Sequence, residues 1–169
     1  MAANKIQGQQ ALNIFPSESA NIPYPVITHT GVSGTVSSMK LISSVGDPFT
    51  DPNTIVYAGD IIVNTTTGKS CTVLTVDSGS QLSLNADLFQ TAGQNYIIYS
   101  ASSVLNLQDA NNGCVLYIGS TGDVMVDTIA GSTATRKVLF PSVPVGFFPI
   151  QVTKVYEEGT TASKIVAIW

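Results

Sequence analysis

One imidazole serves the whole chain, His29, set between Thr28 and Thr30. A general base or a metal centre needs a second ligand or an orienting partner, and no other His or Cys stands near it in the sequence. It reads as a surface or loop residue. Thr67-Gly68-Lys69-Ser70 imitates the end of a phosphate-binding loop, but the full pattern puts Gly five residues before Gly68, where this chain has Val63, and requires a helix to follow. That segment reads as a hairpin turn. Asp47, Asp51 and Asp60 are candidates to converge as oxygen ligands, and Asp123 and Asp127 are spaced along one strand face. Neither set has a calcium-loop spacing, and Asp in Gly-rich loops commonly bonds its own turn. Glu157 and Glu158 are adjacent and cannot flank a substrate, so they read as a solvated hairpin tip. No catalytic residue, metal site or cofactor is expected, and the chain is expected not to be an enzyme.

Cys71 and Cys114 lie in separate apolar runs with no C-x-x-C spacing, which favours buried reduced thiols over a bridge. Asn64-Thr65-Thr66 is formally a glycosylation acceptor; with no basic-then-apolar leader ahead of it, it reads as a turn-flanking hydroxyl run. A net charge of −4 with only seven basic residues argues against nucleic acid, whose phosphates need a basic patch. The nearest approach to one, Arg136-Lys137, reads as a strand end. No apolar run is long enough to span a membrane as a helix.

The aromatic and apolar residues offer a different chemistry, that of contact. Phe147 and Phe148 are adjacent between Gly146 and Pro149. In an extended strand neighbouring side chains point to opposite faces, so one of the two is expected to meet another subunit. Ile14, Phe15, Ile22, Pro23 and Tyr24 form an apolar series in a Pro-rich segment suited to lying across a partner, and Trp169 closes a strand-like run that is expected to be paired and to bury it in a core or subunit interface.

The elements that must position these residues are strands. No segment holds helical spacing over three turns, whereas short β-branched runs recur between Gly and Pro punctuation. The chain is expected to be all-β. With 169 residues, 44% of them hydrophobic, it can bury a core without staples. Its 36 Ser and Thr are twice its 18 charged residues, so hydroxyls rather than ions wet its surface. Strands are expected at Val36–Ile42, Ile55–Tyr57, Ile61–Val63, Cys71–Val76, Gln81–Leu84 and Tyr96–Tyr99, with Leu84–Phe89 the one place for a helical turn. Further on, Cys114–Ile118 turns into Val124–Ile129 and then into Thr135–Phe140, Pro141-Ser142-Val143-Pro144 breaks the chain, and a last hairpin follows. The carboxy-terminal part is expected to be a β-sandwich or jelly-roll-like domain.

That last hairpin carries a resemblance. The strand Ile150–Tyr156, the turn Gly159-Thr160-Thr161-Ala162 and the run Ile165-Val166-Ala167-Ile168-Trp169 resemble the end of a family of phage virion proteins that decorate heads and build the bases of head spikes. Leu116-Tyr117-Ile118-Gly119-Ser120-Thr121-Gly122-Asp123-Val124 is similar to the same family, so the likeness covers the last third or so of the chain. In that family a segment like Phe15–Pro23 sits close in sequence to the Leu-Tyr-Ile-Gly strand. Here the two are far apart, which implies an insertion. The stretch Ala58–Thr66, with Leu82–Phe89, resembles a small barrel-like module that recurs in phage structural proteins. The resulting organisation is an extended arm at 1–25, an inserted β module at 26–104 and a carboxy-terminal domain at 105–169, the first and last forming one discontinuous domain.

The resemblance implies a virion structural protein of the bacteriophage head, made in the host cytoplasm, that decorates the capsid like cement. Its partner would be the major capsid protein, and decoration proteins that occupy three-fold positions imply a homotrimer. A receptor-binding or carbohydrate-binding head-fibre or tail module is the alternative; it would expose aromatics in a groove. A small hydrolase would need an acid and base constellation that the sequence lacks.

Overall fold

A computed structural model describes residues 11–23, 27–100, 113–129 and 137–169. The chain is nearly all-β, built on two six-stranded antiparallel sheets. It divides into two compact units, Met1–Pro25 with Ala110–Trp169, and Val26–Asp109.

In the first unit the strands are β1 (Ala11–Asn13), β8 (Cys114–Ser120), β9 (Gly122–Thr128), β10 (Lys137–Val143), β11 (Gly146–Val155) and β12 (Ser163–Ile168), in the order β1-β12-β8-β11-β9-β10. β8 and β9 follow each other in sequence yet do not pair, because β11 lies between them. The ten-residue β11 makes this possible: Gly146–Phe148 and Val152 pair with β8 on one side, and Val152–Val155 pair with β9 on the other. The connection from β8 to β9 passes beneath the Thr161-Ala162 backbone, and a Cβ at Gly122 would lie 2.4 Å from the Ala162 nitrogen. Only glycine fits that crossing. The Pro141–Pro144 stretch does not end its strand as expected. β10 runs through Pro141 to Val143 by way of a bulge, with Ser142 at φ 53° and its N–H donating to Asp123 Oδ1 at 2.8 Å.

In the second unit β2 (Ile27–Val32), β3 (Lys40–Ile42), β4 (Ile61–Asn64), β5 (Lys69–Ser78), β6 (Gln81–Leu84) and β7 (Asn95–Tyr99) take the order β2-β7-β4-β5-β6-β3. The sheet curls until its edges meet: Ser33 and Ser43 form an antiparallel bridge, Gly34 N–H donates to Ile42 O and Ser44 N–H to Val32 O. Its interior holds Leu41, Phe49, Ile62, Cys71, Val73, Leu82, Leu84, Phe89, Tyr96 and Ile98. Outside, Asp77 ties three strands together. Its carboxylate accepts from Lys40 Nζ (2.7 Å), Ser83 Oγ (2.8 Å), Gln81 Nε2 (3.0 Å) and Thr75 Oγ1 (2.7 Å).

Two local expectations fail here, and a third holds only in part, since of the expected strand Val36–Ile42 only Lys40–Ile42 forms one. Leu84–Phe89 forms no helical turn, since Leu88 and Phe89 are drawn into the core; the helical turn among the described residues is a 3-10 turn at Pro48–Thr50, started by its proline. Ile55–Tyr57 is not a strand. Val56 is buried and its N–H donates to Phe49 O, so a loop fold claims the backbone that a sheet would have used.

Candidate functional site

Strand register decides what the outer face of the first unit presents. Phe147 on β11 lies opposite Tyr117 on β8, Tyr117 opposite Val166 on β12, and Val166 opposite Asn13 on β1. Paired residues share a sheet face, so these four make one row across four strands. Phe147 is 73% exposed and Tyr117 37%, with their rings edge to face at 5.6 Å. The next row on that face carries Val115, which is itself buried, with Ile168 and Ala11 in register, and exposed Pro149 lies two residues beyond Phe147. The intervening row, Phe148, Leu116, Ala167 and Leu12, faces the other way and is buried throughout. An antiparallel sheet with one wet face normally alternates apolar and polar residues. Across β11, β8, β12 and β1 this one is largely apolar on both.

The alternation expected of Phe147 and Phe148 is therefore present, with Phe148 5% exposed and packed edge to face on Phe140 at 4.9 Å. The other contact candidates sit elsewhere. Ile14, Ile22 and Pro23 are buried in their own unit, and Phe15 is half-buried. Tyr24 lies outside the described residues. Trp169 follows the last residue of β12 and is half-buried, so it is not a core residue of this chain. Sequence reasoning does not mark Tyr117 and Val166 as contact residues. The available signal is the alternation Leu116-Tyr117-Ile118, which gains meaning only once Phe147 is known to lie opposite.

The arm is held down rather than free. Ile14 N–H donates to Ile165 O, Ser17 N–H to Val155 O and Ile22 N–H to Thr153 O, so the arm serves as backbone partner to β12 and to the end of β11. Lys154, buried to 8% exposure, donates to Glu18 O at 2.6 Å, and Glu158 N–H donates to Glu18 Oε1 at 2.7 Å. Lys137 Nζ lies 3.9 Å from carboxylate oxygens of both Glu18 and Glu158 and 4.3 Å above the Tyr156 ring. Tyr156 donates to Asp127 Oδ2 at 2.8 Å, and burial, then Asp127, then Glu18 push its phenol up to about 12. Of the Arg136-Lys137 pair, Lys137 is thus engaged by carboxylates and Arg136 lies outside the described residues.

The remaining chemical candidates resolve into structural roles. His29 stacks on Tyr96 and meets Phe49 edge on; burial lowers its pKa, with Asp51 pulling the other way, so the ring is neutral near pH 7. Asp51 caps Asn53 N–H and Asp60 accepts from Tyr57 N–H, and no group of three metal-binding side chains converges among the described residues. Asp47, Asp51 and Asp60, the candidate oxygen ligands, do not converge there. Gly68 takes φ 72° in the turn between β4 and β5, as the hairpin reading of Thr67–Ser70 requires. Asn64 is buried, donating to Leu88 O and Gln94 Oε1 while its Oδ1 caps Thr66 and Thr67, which closes it to glycosylation. Both cysteines are free and buried, and burial pushes each thiol up to about 12. No helix among the described residues is long and apolar enough to cross a membrane.

Comparison of this chain with protein-family models, with curated proteins and with solved structures returns no match.

Proposed function

We propose that this chain is a virion structural protein that decorates the phage head, binding the assembled capsid lattice as a homo-oligomer, with a trimer suited to three-fold positions. The observation that carries the reading is that strands β11, β8, β12 and β1 of the first unit are largely apolar on both faces, a surface suited to protein contact, in a chain whose buried Lys154 and Asp60 are engaged in structural bonds. The likeness of the Leu116–Val124 and Ile150–Trp169 segments to head decoration and spike-base proteins supplies the partner, the major capsid protein. The mechanism is mass action. A protein that binds only the assembled lattice shifts the equilibrium away from rupture, and repetition over the shell multiplies a small contribution per copy. The aromatic pair argues against the carbohydrate-binding alternative: Tyr117 and Phe147 are inclined at 79°, not laid out as a flat stacking platform. The test is to mix purified chain with capsids stripped of it. Saturable binding that raises the temperature of capsid rupture is expected; binding only to tail tips or polysaccharide would move the reading to an adhesin.

A further inference from the structure

We infer that His29 is an acid-operated release for the closure of the second unit's sheet: neutral, it helps to hold the closing strand in place, and protonated, it loosens the seam between Ser33 and Ser43. β2 is the strand that closes the curl. β7 pairs along one side of it, and its other side is tied to the far end of the sheet at Val32, Ser33 and Gly34. Ahead of those residues the hold comes from aromatic packing. His29 is half-buried, with its ring stacked on Tyr96 at 5.9 Å and edge-on to Phe49 at 5.8 Å, and those two buried rings lie 6.3 Å from each other. Gly31 rests on the same tyrosine, since a Cβ there would lie 2.5 Å from its hydroxyl oxygen. Imidazole, aromatic core and seam are thus joined through one short strand.

Protonation sets the ring against this site. An imidazolium carries a charge and two N–H donors, both better served by water than by the carbon edges and faces of two aromatic rings. Two attractions oppose its departure. Asp51, at the end of the 3-10 turn, is the acid whose charge reaches the ring, but burial outweighs it. The Tyr96 face attracts a cation too, yet its centroid stands at the outer limit of such contacts. The neighbouring acids face elsewhere: Asp47 packs against Gly79, and Asp60 accepts from Tyr57 N–H. Tyr96 is a neutral phenol whose pKa burial raises, and β2 has no second ionisable side chain. With the folded value lowered, stability is complete above the ordinary histidine value of 6.5 and is lost as pH falls below it. That window belongs to His29, because histidine is the side chain that ordinarily titrates between about pH 5.5 and 7 and this chain has one.

The inference is independent of the capsid. The experiment is amide exchange of the full chain at about pH 7.5 and about pH 5.5, corrected for intrinsic rates, with the His29 titration followed by NMR in the same samples. Gly34 N–H and Ser44 N–H report the seam, since they donate to Ile42 O and Val32 O across it. Their protection is expected to fall on acidification, by no more than about tenfold, the ceiling that an unfolded histidine value near 6.5 sets. Ile14 and Ile22 of the first unit are expected to keep theirs. His29→Phe keeps a ring that cannot charge and His29→Gln removes the ring, and in both the seam amides are expected to be equally protected at the two pH values. The titration needs no variant, so it stands even if both substitutions misfold. A His29 that titrates at or above 6.5, wild-type seam amides unchanged by acid, a folded variant that keeps the acid loss, or first-unit amides lost in step with the seam would each overturn the inference.

Discussion

Lys154 reaches across the fold to Glu18, 136 positions earlier in the chain, and donates its ammonium to that residue's backbone carbonyl at 2.6 Å. The bond fastens the arm to β11 from the side-chain direction while Ser17 and Ile22 fasten it from the backbone. Lys154→Met keeps the apolar stem and removes the donor, leaving the Glu18 carbonyl to find water. A loss of about 1.5–3 kcal/mol is expected in denaturant unfolding, together with faster proteolysis near Glu18. Unchanged unfolding and unchanged cleavage would show that the arm is held without this bond.

Asp77 supplies a pH signature. Its pKa is held far below the carboxylate range, first by Lys40 and then by Thr75, Gln81 and Ser83. A depressed folded pKa gives stability that is complete above the unfolded value of about 4 and drains away as pH falls below it. Asp77→Asn is expected to cost about 1 kcal/mol at neutral pH, a figure kept small by solvent screening. It is also expected to flatten the fall in melting temperature between about pH 4 and pH 2. Parallel pH profiles for variant and wild type would contradict the assignment.

The two thiols are expected to be silent in the native protein. With each pKa at about 12, the thiolate fraction at pH 8 is roughly a thousandfold below that of a free cysteine, before any barrier to reagent entry is counted. An aromatic disulfide reagent should register no thiol until denaturant is added, and then two. Rapid reaction of either in the folded chain would mean that its sheet opens locally.

Gly31 on β2 lies directly opposite Tyr96 on β7, and a Cβ there would stand 2.5 Å from the Tyr96 hydroxyl oxygen. Gly31→Ala is expected to cost about 1–3 kcal/mol through overpacking. The hydroxyl itself is buried without a hydrogen bond of good geometry, although Ser43 pulls weakly on its ionisation. Tyr96→Phe should therefore be neutral or slightly stabilising and should recover part of the Gly31→Ala loss. A strongly destabilised Tyr96→Phe would reveal a bonded hydroxyl.

Local rules made part of this structure legible in the sequence. The period of two separates Phe147 from Phe148, the Gly68 turn falls where the hairpin reading puts it, and the runs at Ile61, Cys71, Gln81 and Tyr96 become strands. Longer-range facts were not legible. Nothing in Leu116–Val124 says that β11 will separate β8 from β9, because pairing depends on a ten-residue strand far downstream. Lys154 in a strand reads as an outward side chain until the Glu18 carbonyl arrives to satisfy it inside. Ile14 and Ile22 read as free contact residues for the same reason, since an apolar side chain does not name what covers it. Ile55–Tyr57 carries strand propensity that a local loop overrides.

The pairing of Ile27 with Tyr99 has a consequence for how the chain acquires its shape. β2 and β7 are the first and last strands of the second unit among the described residues, and they are neighbours in its sheet, so Ile27 and Tyr99 lie side by side. During synthesis β1 must wait for β12, since Leu12 pairs with Ala167. An unstructured loop of roughly 150 residues would make that meeting slow and costly in entropy. Once the curled sheet has closed, those residues behave as a much shorter tether, and the waiting strand needs to search only the space around a fixed pair of exits. The order of folding is thereby set by connectivity: the interior unit first, and the unit that brackets it after residue 168 has been added.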